Sequence, residues 1–335
     1  MPDIKAIADE ADVMYLVFDI GGTFIKYAVM TEDGTVCEKK KIPTPAGVDN
    51  TLDDFTEAVY GVYCLCSKNY QIDGIAIGMP GQVDVEKGIV YCGGAIKYMD
   101  DIPLGKIISE KCGGIRVSVE NDGKCAALAE VFSGNASDVQ NAIVIVFGTG
   151  IGGGIIKDRK IHRGNHLLAG ELSFSFVDMT RGDLEKIDKI PSLEKMSVER
   201  SFEEAPFTWS CRDSTLALVH RVAKAKGLPD SEVNGELIYK WIDEGDTVTE
   251  SIVEDTYFSI AKQCCNLYVA FDPDVILIGG GISAQPAFTE GIKRYAERLS
   301  KITKVYRNMR IDVCLHRNDA NLIGALCNFI QMYGK

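Results

Sequence analysis

Apolar and polar positions along this chain follow two periods, one typical of strands and one typical of helices. A short polar leader ends near residue 12. Apolar runs at 14–18 and 24–30 predict a hairpin, and 35–42 predicts a third strand. Further strands are predicted at 73–78, 116–119, 142–147, 275–278 and 311–315. Apolar residues at helical spacing predict helices at 51–67, 123–132, 250–271, 286–300 and 319–332. This alternation of strands with helices predicts the α/β class.

Two glycine-rich turns each lie between apolar strands. The first contains Asp19, Gly21, Gly22, Thr23 and Lys26, and the second contains Gly148, Thr149, Gly150 and Gly152. Glycine lets backbone N–H groups approach a ligand closely, and phosphate chains are the usual ligands of such turns. The order strand, turn, strand, strand, helix occurs twice, which predicts two related lobes. We therefore expect a nucleotide whose phosphates are held from two sides, between the lobes.

The second turn also matches the G-x-G-x-x-G pattern of dinucleotide-binding folds, from Gly148 to Gly153. That pattern should open a helix after its strand. Here Ile155 and Ile156 continue into a second strand instead. The sequence therefore favours a second phosphate-binding turn, corresponding to the first, over the dinucleotide site of a Rossmann dehydrogenase.

Polar residues next to these turns suggest chemistry. Asp19 could orient a hydrated Mg²⁺ on nucleotide phosphates or could cap its own turn, and the nearby Thr23 hydroxyl favours the first. Lys26 would add a cation, unless it is only a solvated strand residue. Asp122 could be a general base with Asn121 as a hydroxyl ligand, or both could belong to a helix N-cap. Glu171 could bind sugar hydroxyls, although a surface carboxylate is the simpler interpretation without further context.

A third glycine cluster, at Gly279, Gly280 and Gly281, follows a short apolar strand. Glycines at the carboxyl end of a strand allow an adenine or ribose to approach closely. A tight turn into the next helix explains them equally well.

Composition narrows the class of protein. The chain has 335 residues, of which 46% are hydrophobic and 25% charged, as in soluble proteins of two lobes or domains. Its net charge of −12 argues against nucleic acid or an anionic membrane as a partner. No apolar run reaches the ~20 residues of a membrane span, and no secretion signal is recognisable. The 11 cysteines then indicate reduced thiols and a cytoplasmic location.

Seven segments together resemble the ROK family, named for repressors, open reading frames and sugar kinases. This family belongs to the actin-like ATPase superfamily, which includes hexokinases. The matching segments follow the family's order and cover 19–30, 74–84, 117–130, 144–156, 162–171, 273–283 and 318–326.

The resemblance implies a two-lobed actin-like ATPase (ribonuclease H-like) fold with a duplicated mixed-sheet core and a cleft between lobes. The small lobe would comprise 1–120 plus 318–335, with the last helix folding back onto it, and the large lobe 121–317. The two glycine turns would bind the phosphates of ATP, with Mg²⁺ held through water by Asp19. Asp122 would be the catalytic base. The sugar would be held by Gly81, Asn121 and Glu171, and adenosine would lie beside Gly279, Gly280 and Gly281. A homodimer is the family expectation.

The sequence departs from the family at its zinc segment. After Ala-Gly-Glu the family has a Gly-His pair and then a cysteine-rich segment that binds zinc, but here the pair reads Ser173-Phe174. Cys211 is the only cysteine within residues 178–213, so we predict no zinc site. His162 and His166 lack the partners that zinc requires. The same segment has no sustained period and is predicted to be a surface loop or insertion, with a short helix near 192–204.

The resulting prediction is an ATP- and Mg²⁺-dependent carbohydrate kinase acting on O6 of a hexose such as glucose, N-acetylmannosamine or a β-glucoside. One alternative is a non-catalytic sugar sensor on the same fold. Another is an ATPase with a different small acceptor. The dozen residues before the first strand are too few for the DNA-binding domain of the family's repressors.

Overall fold

The computed structural model describes residues 13–94 and 96–334, so the polar leader predicted to end near residue 12 lies outside the described residues. Its contacts divide the chain into two units. The first unit comprises the described residues through Cys125 together with those from Asn321 on, and the second runs from Ala126 to Ala320. The lobe boundaries expected from the sequence stay a prediction.

The first unit is built on a mixed sheet of five strands. Its strands, including those of a separate small hairpin, are β1 (Met14–Ile20), β2 (Phe24–Thr31), β3 (Val36–Pro43), β4 (Ile72–Met79), β5 (Gln82–Asp84), β6 (Ile89–Cys92) and β7 (Val117–Asn121). The main sheet has the order β3-β2-β1-β4-β7, and β5 pairs with β6. Strands β1, β2 and β3 pair antiparallel, whereas β4 and β7 continue the sheet in parallel with β1.

Helices cover this sheet. They are α1 (Leu52–Cys66) and α2 (Leu104–Lys111), whereas α3 (Asp122–Ser133) follows β7 and belongs to the second unit from Ala126 on. A capping box starts α1, in which Thr51 and Asp54 each satisfy the other's backbone N–H. The apolar face of α1 then packs Phe55, Val59 and Val62 into the core that lies against the sheet.

The second unit repeats the same sheet order. Its strands are β8 (Ala142–Phe147), β9 (Ile151–Lys157), β10 (Lys160–Ile161), β11 (Val275–Gly279) and β12 (Ile311–Val313). They are arranged β10-β9-β8-β11-β12, again an antiparallel group followed by parallel strands. The internal duplication predicted from the sequence is therefore confirmed. The predicted strand after the second glycine turn is confirmed as β9.

Seven further helices lie within the described residues of the second unit. They are α4 (Leu184–Ile187), α5 (Val198–Glu204), α6 (Trp209–Asp213), α7 (Thr215–Lys226), α8 (Gly235–Asp243), α9 (Thr247–Phe271) and α10 (Pro286–Ser300). Helix α5 confirms the short helix expected near 192–204. The segment 178–213, expected to be a surface loop or an insertion, reaches the interior at its end, because Trp209 is 1% exposed and belongs to a core cluster of the second unit.

The last helix, α11 (Ala320–Tyr333), packs on the first sheet as expected. Its Leu322, Leu326 and Phe329 lie in one cluster with side chains of β1 and β2. The ring of Phe329 lies 5.1 Å from that of Tyr15, between ring centroids. Among the described residues, no helix combines the length and the apolar character needed to cross a membrane.

Candidate active site

The first glycine turn joins β1 to β2 and is held from the end of β3. The Gly21 N–H donates to the Phe24 carbonyl at 3.0 Å, which closes the turn. The Thr44 hydroxyl donates to the Gly21 carbonyl at 2.6 Å, and the Thr44 N–H donates to the Thr23 carbonyl at 3.0 Å. Gly22 and Thr23 remain exposed, so the turn presents backbone groups to solvent on a fixed frame.

Asp19 precedes this turn and is 6% exposed. One carboxylate oxygen accepts a hydrogen bond from Lys26 Nζ at 2.9 Å, and the other accepts one from Asn321 Nδ2 at 3.0 Å. Side-chain donors, rather than the N–H groups of its own turn, therefore orient the carboxylate. Sequence reasoning gave Asn321 no role, although it lies in one of the seven family-like segments.

The register of the first sheet brings the acidic positions to one edge. Asp19 pairs with Gly78 of β4, and Gly78 pairs with Glu120 of β7. These strands are parallel, so their carboxyl ends meet at the edge where α/β sheets bind ligands. Burial raises the pKa of the Cys125 thiol, and the nearby carboxylates of Glu120, Asp122 and Asp19 raise it further. Asp19 and Asp122 thus lie around the same buried thiol.

Asn121 and Asp122 stand where β7 ends and α3 begins. The Asn121 Oδ1 accepts a hydrogen bond from the Lys124 N–H at 3.0 Å, so Asn121 serves as the helix cap. Its Nδ2 donates to the Gly81 carbonyl at 2.9 Å and to Asp122 Oδ1 at 3.1 Å. The Gly123 N–H also donates to Asp122 Oδ1, at 2.8 Å. The half-buried Asp122 carboxylate is therefore held in one orientation.

The backbone at Gly81 requires glycine. Its φ of 103° lies in the left-handed region, and a Cβ there would overlap the Cys92 carbonyl oxygen. This close approach ties the Gly81 loop to the small β5–β6 hairpin and brings its carbonyl to Asn121. The structure thus brings together three residues predicted from the sequence: Gly81, Asn121 and Asp122.

The second glycine turn joins β8 to β9. The Gly148 N–H donates to the Gly150 carbonyl at 2.9 Å, and the Gly148 carbonyl accepts a bond of 3.4 Å from the Leu216 N–H. Gly152 lies within β9, opposite Val146. The turn is therefore anchored to the start of α7, a contact that no local sequence pattern indicates.

A cavity of about 550 Å³ opens beside this turn in the second unit. Gly148, Thr149 and Gly281 line it, whereas Gly150, Gly152, Gly279 and Gly280 do not. Gly280 supports the cavity indirectly, since its φ is 92° and a Cβ there would overlap the Phe147 carbonyl oxygen. The third glycine cluster therefore serves both as a close backbone contact and as part of a cavity wall.

Other cavity residues escaped sequence reasoning. The wall includes Thr215 and Leu216 at the start of α7, and Asn234 and Gly235 at the start of α8. The Asn234 side chain caps α8 by accepting from the Leu237 N–H at 2.9 Å. Helix N-termini carry partial positive charge, so two of them at one cavity favour a polar or anionic ligand. The sequence signals for these two helix starts are the capping residues Ser214 and Asn234, each followed by apolar positions.

Glu171 lies in the second unit, half-buried, directly before a 3₁₀ turn formed by Leu172–Phe174. The Ser173 hydroxyl of this turn donates to the Ile151 carbonyl, just after the second glycine turn. Ser173 and Ile151 therefore link the segment of Glu171 to the predicted phosphate turn. The candidate role of Glu171 came from the family-like segment 162–171 around it, because a lone glutamate in a loop gives no functional signal.

Among the described residues, no group of three or more His, Cys, Asp or Glu side chains is placed to hold a metal ion. The absence of zinc stays a prediction, which metal analysis of the purified protein would test.

Comparison with known proteins identifies the family. The sequence model of the ROK family matches residues 15–331. A β-glucoside kinase of Listeria monocytogenes is 31% identical over 94% of this chain and 96% of its own length. A β-glucoside kinase of Klebsiella pneumoniae is also 31% identical, over 94% of this chain and 96% of its own.

A solved structure shows the same fold. It is a ROK family protein of Streptococcus pneumoniae in complex with sucrose, with a TM-score of 0.77 and 30% identity. The alignment covers 96% of this chain and 99% of that one. The predicted α/β fold with a duplicated mixed-sheet core is thereby confirmed, and the chain belongs to the ROK family.

Proposed function

We propose that this chain is an ATP-dependent carbohydrate kinase that phosphorylates O6 of a hexose, with a β-glucoside as the favoured substrate class. The observation that carries the proposal is the fixed Asp122 carboxylate, which two hydrogen bonds hold at the ligand-binding edge of the first sheet. Similarity to two bacterial β-glucoside kinases supports the substrate class.

Asp122 acts as general base in this proposal. As the acceptor oxygen bonds to the γ-phosphorus, the bond from that phosphorus to the leaving oxygen of ADP breaks, and Asp122 takes the hydroxyl proton. Asn121 contributes by holding the carboxylate and the Gly81 carbonyl with one amide group. Asn121, Gly81 and Glu171 would bind the sugar hydroxyls. A positioned base contributes roughly 10²–10⁴-fold.

Glycine-containing segments would bind the nucleotide. In the second unit, Gly148, Thr149 and Gly281 line a cavity large enough for adenosine. The exposed Gly22 and Thr23 of the first turn would bind the phosphate chain through backbone N–H groups and a hydroxyl. Lys26 keeps its ammonium group on Asp19 and would add positive charge there.

Mg²⁺ on the nucleotide would neutralise charge as the phosphoryl group transfers. The Asp19 carboxylate fits this ion, since carboxylate oxygen is the ligand type that Mg²⁺ prefers. Each Asp19 oxygen accepts one hydrogen bond from the protein and keeps a second lone pair for a water of the hydrated ion. Asp19 would therefore hold the ion through water.

We further expect a homodimer, a cytoplasmic location with reduced cysteines, and no nucleic-acid or membrane partner. Light scattering coupled to gel filtration measures the oligomeric state directly, with twice the chain mass of 36.6 kDa as the expected result.

An ADP-release assay over a panel of sugars tests the proposed function. The panel contains glucose, N-acetylmannosamine, N-acetylglucosamine and methyl β-glucoside, each with MgATP. We expect ADP release that depends on sugar, with a β-glucoside among the best substrates. A protein that binds these sugars but releases no ADP is a sensor, and that result would overturn the proposal.

A further inference from the structure

Two exposed phenylalanines follow Glu171 on a rigid backbone. Phe174 is 58% exposed and Phe176 is 66% exposed, although phenylalanine is usually buried in a soluble protein. Neighbouring Leu172 and Val177 are buried, at 5% and 6% exposure. The segment therefore has a normal inner face, and its aromatic rings form a separate outer face.

Hydrogen bonds fix this segment. The Trp209 N–H donates to the Ser175 carbonyl at 2.8 Å, and the Val177 N–H donates to the Phe207 carbonyl at 2.9 Å. The Ser173 hydroxyl is bonded to the Ile151 carbonyl. The rings are thus carried by backbone that is tied on both sides to the second unit.

Both rings lie on the outer surface of the segment, since both are exposed while Leu172 and Val177 are buried. Ser175, between them, has an extended backbone, and Phe176 forms an antiparallel bridge with Thr208. Residues two apart on extended chain are separated by about 7 Å, a spacing that spans one six-membered ring. The pair, which we call the aromatic platform, offers apolar area to a flat ligand.

The aromatic platform begins at the predicted sugar residue. The Phe174 N–H donates to the Glu171 carbonyl at 3.3 Å and closes a 3₁₀ turn. The backbone of Phe174 is therefore bonded to that of Glu171, and the Ser173 hydroxyl between them donates to the Ile151 carbonyl, just after the second glycine turn.

From this geometry we infer that Phe174 and Phe176 bind the aglycone of the substrate, and that the preferred aglycone is aromatic. The inference rests on the proposed function and names the substrate class of that site: an aryl β-glucoside whose glucose unit contacts Glu171. An aromatic group stacks on phenylalanine at offset or tilted geometry, which adds to the burial of apolar area. Binding energy from this remote part of the substrate would help to position the reacting hydroxyl.

The test compares phenyl β-glucoside with methyl β-glucoside and glucose, by calorimetric binding and by kcat/KM. The variants are Phe174→Ala and Phe176→Ala, with Phe174→Tyr as the variant that keeps the ring. Phe271→Ala is the matched control, because it removes another exposed ring of the same unit, at the end of α9.

We expect the wild type to prefer the phenyl over the methyl glucoside by roughly 10-fold in affinity and in kcat/KM. Each alanine variant should lose most of that preference while glucose phosphorylation stays unchanged, and the Tyr variant and the control should keep it. Equal binding of the two glucosides by the wild type would overturn the inference. So would an alanine effect of the same size on all three sugars, or a change only in oligomeric state.

Failure of the proposed function has a different outcome. If no sugar is phosphorylated but the phenyl glucoside still binds more tightly in a Phe174-dependent way, the aromatic platform stands and the kinase proposal falls.

Discussion

Asp213 provides a buried charge whose cost can be measured. It is the last residue of α6 and is 1% exposed. One carboxylate oxygen accepts a hydrogen bond of 2.5 Å from the Ser259 hydroxyl, and the other accepts none. The guanidinium groups of Arg221 and Arg212 lie 3.9 and 4.0 Å away, too far for hydrogen bonds. The charged carboxylate is therefore only partly compensated.

Desolvation raises the pKa of Asp213 from 3.8 to about 6, against the lowering effects of Ser259, Arg221 and Arg212. The folded protein thus holds this proton at higher pH than the unfolded chain does. The associated stability is fully present below pH 3.8 and is lost as the pH rises through 6. A difference of roughly 2 pH units corresponds to about 3 kcal/mol in the free energy of unfolding.

Asp213→Asn should remove this pH-dependent cost, because the amide stays neutral at every pH. The melting temperature of the variant minus that of the wild type should rise between pH 4 and pH 7.5. For a unit of this size, about 3 kcal/mol corresponds to a rise of roughly 6–12 °C. Circular dichroism melts at several pH values measure it.

Asp246→Asn is the control with the opposite sign. The ion pair with Lys226, followed by the Thr249 N–H, lowers the pKa of Asp246 to about 2. Neutralising Asp246 should therefore give no gain in melting temperature above pH 4. For Asp213→Asn, a difference that stays constant or falls with rising pH would show that Arg221 and Arg212 outweigh desolvation, and would refute the reasoning.

Further substitutions test the fold and the site. Phe329→Ala should lower the free energy of unfolding by about 3–5 kcal/mol in denaturant titrations, because the buried ring fills the interface of α11 with the first sheet; a loss below 1 kcal/mol would contradict that packing. Gly280→Val should weaken the affinity for ADP, measured by calorimetry, by at least roughly 10-fold. The new Cβ would overlap the Phe147 carbonyl oxygen, and the left-handed backbone adds strain of about 1–3 kcal/mol. Gly61→Ala, in open space on α1, should leave ADP binding unchanged. Asn321→Ala should raise the Mg²⁺ concentration for half-maximal activity by roughly 10-fold, because Asp19 loses an orienting donor; an unchanged Mg²⁺ dependence would exclude this positioning role.

The sequence predicts best those elements whose local pattern is strong. Helix α10 spans Pro286–Ser300, the range predicted from its apolar spacing, and both glycine turns join antiparallel strands as expected. Helices α7 and α8 were missed. Helix α8 is only Gly235–Asp243, too short for its period to separate it from the irregular sequence before it.

The site was only partly predictable for a different reason. Asp122, Asn121 and Asp19 are marked by local motifs, so sequence reasoning finds them. Asn321 contacts Asp19 across 302 positions of sequence, and no local pattern encodes that contact. The cavity beside the second glycine turn is likewise lined by residues of that turn, α7, α8 and the segment after β11. Tertiary packing alone brings them together.

The most direct test of the central claim is phosphoryl transfer by wild type and Asp122→Asn, followed by ³¹P nuclear magnetic resonance with MgATP and a β-glucoside. The wild type should form a sugar 6-phosphate and ADP in equal amounts. Asp122→Asn should bind ADP as the wild type does but transfer phosphate at least roughly 100-fold more slowly. Near-normal transfer by Asp122→Asn, or no sugar phosphate with the wild type, would contradict the account.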